Sequence, residues 1–392
     1  MSPHDRVLGP DDLDGYLRLR EGSFGFPAGD EALDAFRARL PNAHGAFVDG
    51  QLAAVVTQHP YRAWVAGRCV PVGGFGGVAT APEHRRAGHV ARLMRAALDA
   101  GRAQGFGWNL LYPFDAAFYG RYGWVSVPTG VPLALPPERL PPGAPGRLTR
   151  VEGPARAGLA EPYARFAATR TFADARTGGP WDAWEDLDAA PGQRLLRFAG
   201  TDAFVAVKLR DDAVGVHLDV LDLGWCDAAG RDAVWGVLAA FRGQVAVVHL
   251  EAPWDDPVTA DRQRAHAVTG HAGLMARIAD VATTAAALRA VADDDAALDL
   301  APLTLQVIDA HAPWNEGTWR LTPGPEGTEI KAARGPADAT VDVRGLALLW
   351  SGAAAPADVR RAGWAEGDGR ALATLAALSG GRRPFRSPVD RF

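Results

Sequence analysis

Apolar residues after position 89 recur at the i, i+3, i+4 spacing that places side chains on one face of a helix. These residues are Val90, Leu93, Met94, Ala97 and Leu98. Arg92, Arg95 and Asp99 fall on the other faces of the same helix. The pattern therefore predicts an amphipathic helix whose N-terminus lies at Gly88 and His89.

The rest of residues 1–134 alternates between helix-like and strand-like patterns, which is typical of an α/β unit. Acidic residues open two helix-like segments, and Asp49 followed by Gly50 predicts the turn of a hairpin. A glycine-dense strand precedes the amphipathic helix, and an apolar strand with a tyrosine-rich turn follows it. The predicted helices cover 11–20 and 30–40, the hairpin 46–57, the glycine-dense strand 73–80, and the apolar strand with its turn 110–124.

A second unit is predicted over residues 135–282. Its first residues, 135–146, are dense in proline, which breaks helices and ladders, so we predict a linker or an exposed excursion there. The α/β rhythm then resumes without an arginine- and glycine-rich loop. The clearest elements are paired strands at 203–210 and 214–221, a helix at 229–241 and a strand at 244–250. We interpret this unit as a degenerate copy of the first, kept for packing.

The pattern changes again over residues 283–392, where a small α+β module is predicted. Its strands cover 303–308, 317–321, 328–332 and 339–343, and its helices cover 284–292 and 371–378. Strands enclosed by helices with an apolar interior suggest a domain like the sterol carrier proteins. The predicted fold class is thus mixed α/β and α+β, with two tandem α/β units followed by this module.

Composition narrows the functional classes. A chain of 392 residues with 48% hydrophobic residues can build two or three ordinary domains. Its formal charge of −5 argues against a nucleic-acid partner. No secretory signal and no apolar run of membrane-spanning length is visible, so we expect a soluble protein with no membrane partner. Cys69 and Cys226 lie far apart, which fits the cytoplasm, and the histidines show no metal-ligand spacing, so we expect no metal.

The segment between the glycine-dense strand and the helix has the chemistry of a phosphate-binding loop. A helix N-terminus presents backbone N–H groups and the positive end of the helix dipole, and Gly88 lets the backbone approach a ligand closely. Arg85 and Arg86 add guanidinium groups suited to phosphate oxygens. The alternative is a solvated surface loop, which would be the better interpretation of such a loop in isolation.

The pattern Arg85-x-x-Gly88-x-Val90 resembles the Arg/Gln-x-x-Gly-x-Gly/Ala signature of the GCN5-related N-acetyltransferases (GNATs). With the aromatic segment 118–124, the second unit, the C-terminal module and the aromatic last residue, the whole chain resembles the enhanced intracellular survival (Eis) family. The resemblance implies two tandem GNAT-like domains, a sterol-carrier-like domain and a homo-oligomer, namely a hexamer. It also implies acetyl transfer from acetyl-CoA to amines, with aminoglycosides the best-known acceptors.

The resemblance also assigns residues. Tyr119 matches the family's general acid, and the α-carboxylate of Phe392 matches its general base. Two groups of residues would hold acetyl-CoA: Val78 and Thr80 at the pantetheine, and Arg85, Arg86, Gly88, His89 and Val90 at the pyrophosphate. Phe24 and Phe26 would contact the acceptor.

Three positions depart from the family pattern. Gly25 stands where members often carry an acidic residue, and Phe114 and Gly76 stand where some have serine. We expect these changes to affect acceptor preference and not the cofactor end.

The chemistry agrees with these roles. An acceptor amine is protonated at pH 7 and must lose a proton before it attacks a thioester, so a carboxylate is needed at the entrance. A tyrosine, with a pKa of about 10 in water, can protonate the departing thiolate. We therefore predict an acetyl-CoA-dependent N-acetyltransferase for cationic amines that are aminoglycoside-like or polyamine-like. The alternatives are a non-catalytic protein that binds CoA or a lipid, and a lysine acetyltransferase of peptides or proteins.

Overall fold

The computed structural model describes residues 4–25, 33–144, 146–176, 181, 194–213, 215–260, 267–268, 273–291 and 296–390. Phe26 and Phe392 therefore lie outside the described residues. Among the described helices, none is both long and apolar enough to cross a membrane. The described chain forms two seven-stranded sheets and one five-stranded sheet, joined by a small two-stranded pairing.

The first unit alternates strands and helices as predicted. Its elements are β1 (His4–Val7), α1 (Leu13–Phe24), α2 (Leu33–Arg39), β2 (Ala43–Val48), β3 (Gln51–Val65), β4 (Arg68–Thr80), α3 (His89–Ala103), β5 (Trp108–Leu111), α4 (Ala116–Gly120), β6 (Val125–Val127) and β7 (Val131–Leu135). The predicted hairpin pairs β2 with β3, and Asp49 and Gly50 have φ of 50° and 79°, as a tight hairpin turn requires. The tyrosine-rich turn contains the short helix α4, because Asp115 caps the N–H groups of Ala117 and Phe118.

The second unit repeats the core of the first. Its elements are β8 (Thr149–Arg150), α5 (Ala155–Ala168), β9 (Arg170–Thr171), β10 (Arg194–Ala199), β11 (Ala203–Asp212), β12 (Gly215–Trp225), α6 (Ala228–Ala239), β13 (Val247–Ala252), α7 (Pro257–Ala260), β14 (Ala267–Val268) and β15 (Leu274–Ile278). Strand β12 pairs antiparallel with β11 and parallel with β13. Strand β4 pairs in the same way with β3 and β5, so α6 is the topological counterpart of α3.

The proline-rich segment is packed, contrary to the prediction of a linker or an exposed excursion. Leu140 is buried, and Arg242 donates a hydrogen bond to the Pro137 carbonyl at 2.9 Å. The N–H of Ala144 bonds to the carbonyl of Asp232 on α6 at 3.1 Å. The prolines here favour an extended backbone, and they have no N–H group to donate to a neighbouring strand. The segment is held instead by its contacts with α6 and with Arg242.

The two large sheets exchange strands. Strand β15 lies between β5 and β6 in the first sheet, whereas β7 pairs with β13 in the second sheet. The last strand of the second unit, β15, therefore completes the first sheet, and the strand that precedes the second unit, β7, completes the second sheet. We propose 1–134, 135–282 and 283–392 as the domain divisions along the chain, with β7 and β15 as strands that cross into the neighbouring sheet.

The third unit is a five-stranded sheet covered by helices. Its elements are α8 (Val281–Ala287), β16 (Leu303–Ile308), β17 (Gly317–Thr322), β18 (Glu329–Ala332), β19 (Ala339–Asp342), α9 (Val343–Trp350), α10 (Pro356–Arg361), β20 (Ala365–Gly367), α11 (Gly369–Ala377) and β21 (Arg383–Pro384). Its interior is filled by side chains such as Leu305, Leu346 and Trp350, which are buried in one cluster with Val72 and Trp108 of the first unit. The first and third units thus share a core.

The C-terminal tail returns to the interface of the first two units. Strand β21 pairs in parallel with β9, and the tail beyond it is buried. Asp390 accepts hydrogen bonds from Arg176 at 2.8 Å and Tyr163 at 3.2 Å. Arg386 contacts Asp174 at 3.2 Å and lies 5.0 Å from the ring of Tyr61 on β3. The tail is therefore anchored by buried charged groups up to Asp390.

A buried ion pair joins the first and third units. Arg277 on β15 is fully buried and contacts the Asp309 carboxylate at 2.8 and 3.0 Å. Asp309 also accepts a hydrogen bond from Asn315 at 2.9 Å. Burial lowers the pKa of Arg277, and Asp309 opposes that shift.

We predict that Asp309→Asn destabilises the protein by about 3–5 kcal/mol, because it leaves a buried guanidinium without its counter-charge. The thermal unfolding midpoint should fall by several degrees. The exposed pair between Arg361 and Asp358 provides the control, and Asp358→Asn should change stability by no more than about 1 kcal/mol. Equal midpoints for the two variants would contradict the role given to this pair.

Candidate active site

The site is built where β4 and β5 separate. Their parallel ladder ends at Phe75 and Leu111, although β4 continues to Thr80. A bulge begins directly afterwards, because the register with β3 places both Gly77 and Val78 opposite Val56. The edge of β4 that faces β5 is therefore left without its ladder over the last five residues, and its N–H and C=O groups are available to an extended ligand.

The loop after β4 has the backbone of an anion site. Helix α3 begins at His89, and its N-cap residue Gly88 has φ of 79°. No described atom lies within 4 Å of the position that a Cβ on Gly88 would occupy. The N–H groups of the first turn of α3 have no partner within the helix, so they are directed at whatever occupies the loop.

A cavity of about 970 Å³ joins the loop to the open edge of β4. It is lined by every residue predicted to hold the cofactor, Val78, Thr80, Arg85, Arg86, Gly88, His89 and Val90. Phe24, predicted to contact the acceptor, also lines this cavity. The structure thus brings these residues together around one space, and their roles remain predictions. The predicted Phe26 and Phe392 lie outside the described residues.

The histidine of the loop, His89, is held by neighbouring side chains. Its side chain is buried, and Arg92 donates a hydrogen bond to its Nδ1 at 3.1 Å while also binding Asp5 at 3.0 and 3.1 Å. Burial, followed by the nearby Arg92 and His84, lowers the pKa of His89. The imidazole is therefore neutral at pH 7, and the positive charge of the loop comes from Arg85 and Arg86.

Tyr119 lies on α4 with 3% of its surface exposed. Its ring makes edge contacts with Phe114, Phe118 and Trp124, at centroid distances of 5.4, 5.1 and 6.4 Å. Burial raises its pKa, so the hydroxyl is protonated well above neutral pH. Tyr119 itself stands behind the cavity wall, which is formed by Phe114, Phe118 and Tyr122.

Sequence reasoning missed several of the lining residues. Phe114, Phe118, Arg121, Tyr122, His84 and Ser23 all line the cavity. Most of them belong to the tyrosine-rich segment described in the sequence analysis, and the high density of aromatic residues there could have predicted that it lines a cavity. Tyr122 is the second candidate for an acid, because it presents a phenol to the same cavity.

The segment that carries Tyr119 and Tyr122 is held in place by Arg277, the arginine of the buried ion pair with Asp309. Arg277 donates a hydrogen bond from Nε to the Tyr122 carbonyl at 2.8 Å. The ring of Tyr122 packs on His311, from the loop after β16, at 5.1 Å. The third unit therefore positions this wall of the cavity.

The described lining of the cavity contains basic and aromatic residues and no aspartate or glutamate. Phe24 and Phe114 are 38% and 72% exposed at its mouth. Arg121 lies 5.0 Å from the ring of Phe118. The described wall is thus positive and apolar. Among the described residues, no cluster of histidine, cysteine, aspartate or glutamate is arranged to hold a metal ion.

Two families of domains match the chain. The acetyltransferase (GNAT) domain matches residues 5–127, and the sterol carrier protein domain matches residues 274–387. An uncharacterized N-acetyltransferase of Streptomyces coelicolor is 28% identical over 90% of both chains. A second one, from Streptomyces avermitilis, is 29% identical over 79% of this chain and 78% of its own.

Solved structures share the whole fold. A GCN5-related N-acetyltransferase from Anabaena variabilis superposes with a TM-score of 0.83 at 20% identity, covering all of both chains. Eis1 from Mycobacterium abscessus superposes with a TM-score of 0.79 at 23% identity, again over all of both chains. The chain therefore joins an acetyltransferase (GNAT) domain to a sterol carrier protein domain, and its whole fold resembles that of Eis1.

Proposed function

We propose that this protein transfers the acetyl group of acetyl-CoA directly to the amine of a small molecule. The observation that carries the proposal is the cavity in which the open edge of β4 meets the N-terminus of α3. An extended pantetheine would bond to the backbone of Val78 and Thr80. The pyrophosphate would then lie on the N–H groups of the loop, beside Arg85 and Arg86.

The proposed chemistry needs one acid and one base. The acceptor amine gives up a proton, its nitrogen attacks the thioester carbonyl, and the C–S bond breaks as the C–N bond is formed. The leaving thiolate takes a proton from Tyr119, whose raised pKa keeps it protonated until that moment. The proposed base is the carboxylate of Phe392. The anchoring of the tail as far as Asp390 supports this role, because it brings the chain end back to the first two units.

The acceptor class is a finer proposal. The resemblance implies aminoglycoside-like or polyamine-like cations, and the terminal carboxylate would attract them. The described wall offers them no other carboxylate.

We also propose, from the same resemblance, that the protein assembles as a hexamer and works in the cytoplasm, where its free Cys69 and Cys226 would stay reduced. Light scattering measures the assembly.

A screen of amines with acetyl-CoA, read by release of the CoA thiol, tests the function. It should include aminoglycosides, polyamines, uncharged and acidic amines, and lysine peptides. Thiol release with a small amine and an acetylated product of the expected mass would support the proposal. Transfer to lysine peptides alone would indicate a protein acetyltransferase, and binding of CoA without any transfer would indicate a sensor.

We predict that Arg86→Glu combined with Gly88→Asp abolishes CoA binding and leaves the fold intact. Both changes place negative charge where phosphate oxygens would lie, and both residues are exposed. Calorimetry should detect no binding of CoA. Arg95→Glu, on an exposed face of the same helix, is the control and should keep the wild-type affinity. Unchanged affinity in the folded double variant would show that this loop holds no phosphate.

We predict that Tyr119→Phe lowers kcat by about 10²–10⁴-fold with little change in CoA affinity, because it removes only the proton donor. Tyr122→Phe is the matched control, since it deletes the phenol of the neighbouring tyrosine that lines the cavity. It should retain kcat within a few-fold. The reverse result would move the role of acid to Tyr122, and wild-type rates in both variants would exclude a tyrosine acid.

We predict that a Gly-Ser extension after Phe392 lowers kcat much more than CoA affinity. The extension converts the carboxylate into an amide and crowds the proposed position of the base. The same tag at the N-terminus is the control and should leave turnover unchanged. Equal activity of the two tagged proteins would refute a terminal base.

A further inference from the structure

A positive cluster lies beside the bulge of β4, away from the loop before α3. Arg20 of α1 lies so close that a Cβ on Gly77 would be 2.7 Å from its Nη1. His59 of β3 borders the neighbouring residue, since a Cβ on Gly76 would be 3.4 Å from its Nε2. Three to four residues of strand, about 10 Å, separate this place from the end of β4.

The surroundings of Arg20 are aromatic. Its guanidinium lies 5.0 Å from the ring of Phe24, 5.0 Å from that of Phe36 and 5.6 Å from that of Tyr16. The guanidinium of Arg39 lies 5.2 Å from the ring of Phe36. Among the described residues, neither arginine has a carboxylate partner. The rings orient the guanidinium planes without consuming their hydrogen-bond donors.

The positive charges of the cluster also lower the pKa of the neighbouring His59. The pKa of His59 is lowered to about 4 by burial, and further by the charges of Arg39 and Arg20. Its imidazole is therefore neutral at pH 7 and adds hydrogen-bonding capacity without adding charge. A neutral ring and two unpaired guanidinium groups form a site suited to an anionic oxygen group.

We infer that the acceptor is an amine that also carries a carboxylate on an apolar body, and that Arg20 binds this carboxylate. The inference rests on the proposed acetyl transfer, and it replaces the aminoglycoside-like or polyamine-like acceptors that the family resemblance implies with an amine that also carries a carboxylate. The missing side chains at Gly76 and Gly77 leave room for His59 and Arg20 to lie against the bulge of β4. The exposed rings of Phe24 and Phe114 would cover the apolar body. The phosphates of CoA are held elsewhere, by the loop before α3.

The test uses the full chain and two acceptors that differ only in the carboxylate, phenylalanine and 2-phenylethylamine. We expect the wild-type kcat/KM to favour phenylalanine by about 10–100-fold, as a charge-assisted hydrogen bond allows. Arg20→Met should remove this preference by lowering only the value for phenylalanine. Arg20→Lys keeps the charge but loses the planar fork, and it should give an intermediate preference. Arg18→Met, an exposed arginine on the same helix, is the matched control and should behave as wild type.

A binding measurement separates this inference from the proposed function. Phenylacetate has the carboxylate and the ring but no amine, so it should bind in the presence of CoA without being acetylated. Its Kd should rise about 10–100-fold in Arg20→Met. Binding that depends on Arg20 without transfer to any amine would contradict the proposed function alone. Equal use of the two acceptors, a preference for spermidine over both, or phenylacetate binding that ignores Arg20 would overturn the inference.

Discussion

The buried pair of Arg277 and Asp309 is the constraint on which the rest of the structure depends. Taking two charges out of water is costly, and the cost is offset only when geometry and hydrogen bonding are complete. Here the Asp309 carboxylate accepts hydrogen bonds from the Arg277 guanidinium and from the Asn315 side chain. The guanidinium also donates hydrogen bonds to the carbonyls of Tyr122 and Ile278. The pair therefore links strand β15 of the first sheet to the third unit.

The same ion pair connects the third unit to the candidate active site. The carbonyl that Arg277 holds belongs to Tyr122, which borders the cavity, and the ring of Tyr122 rests on His311. A unit with the fold of a sterol carrier protein therefore fixes one wall of a site in another unit. Its own interior is occupied by side chains such as Trp350, which are buried in one cluster with residues of the first unit.

Local features of the fold could be predicted from sequence, and long-range ones could not. Helix α3 and the hairpin at Asp49 follow from spacing and from backbone preferences within a few residues, and both have the predicted form. The insertion of β15 depends on a partner more than 150 residues away in sequence, and no local pattern encodes it. The same holds for Arg20, whose place beside Gly77 is fixed by the packing of α1 on the sheet.

The two copies of the α/β unit differ at the N-terminus of their equivalent helices. Helices α3 and α6 occupy equivalent positions, so both present N–H groups at an N-terminus. In α6 the carboxylate of Asp227 accepts a hydrogen bond from the N–H of Gly230 at 2.6 Å, so an anion already occupies that place. In α3 the corresponding cap is Gly88, which has no side chain, and its arginines carry the opposite charge. The N-terminus of α6 is therefore capped by a carboxylate, whereas that of α3 is left open to an anion, and the difference lies in the capping residue.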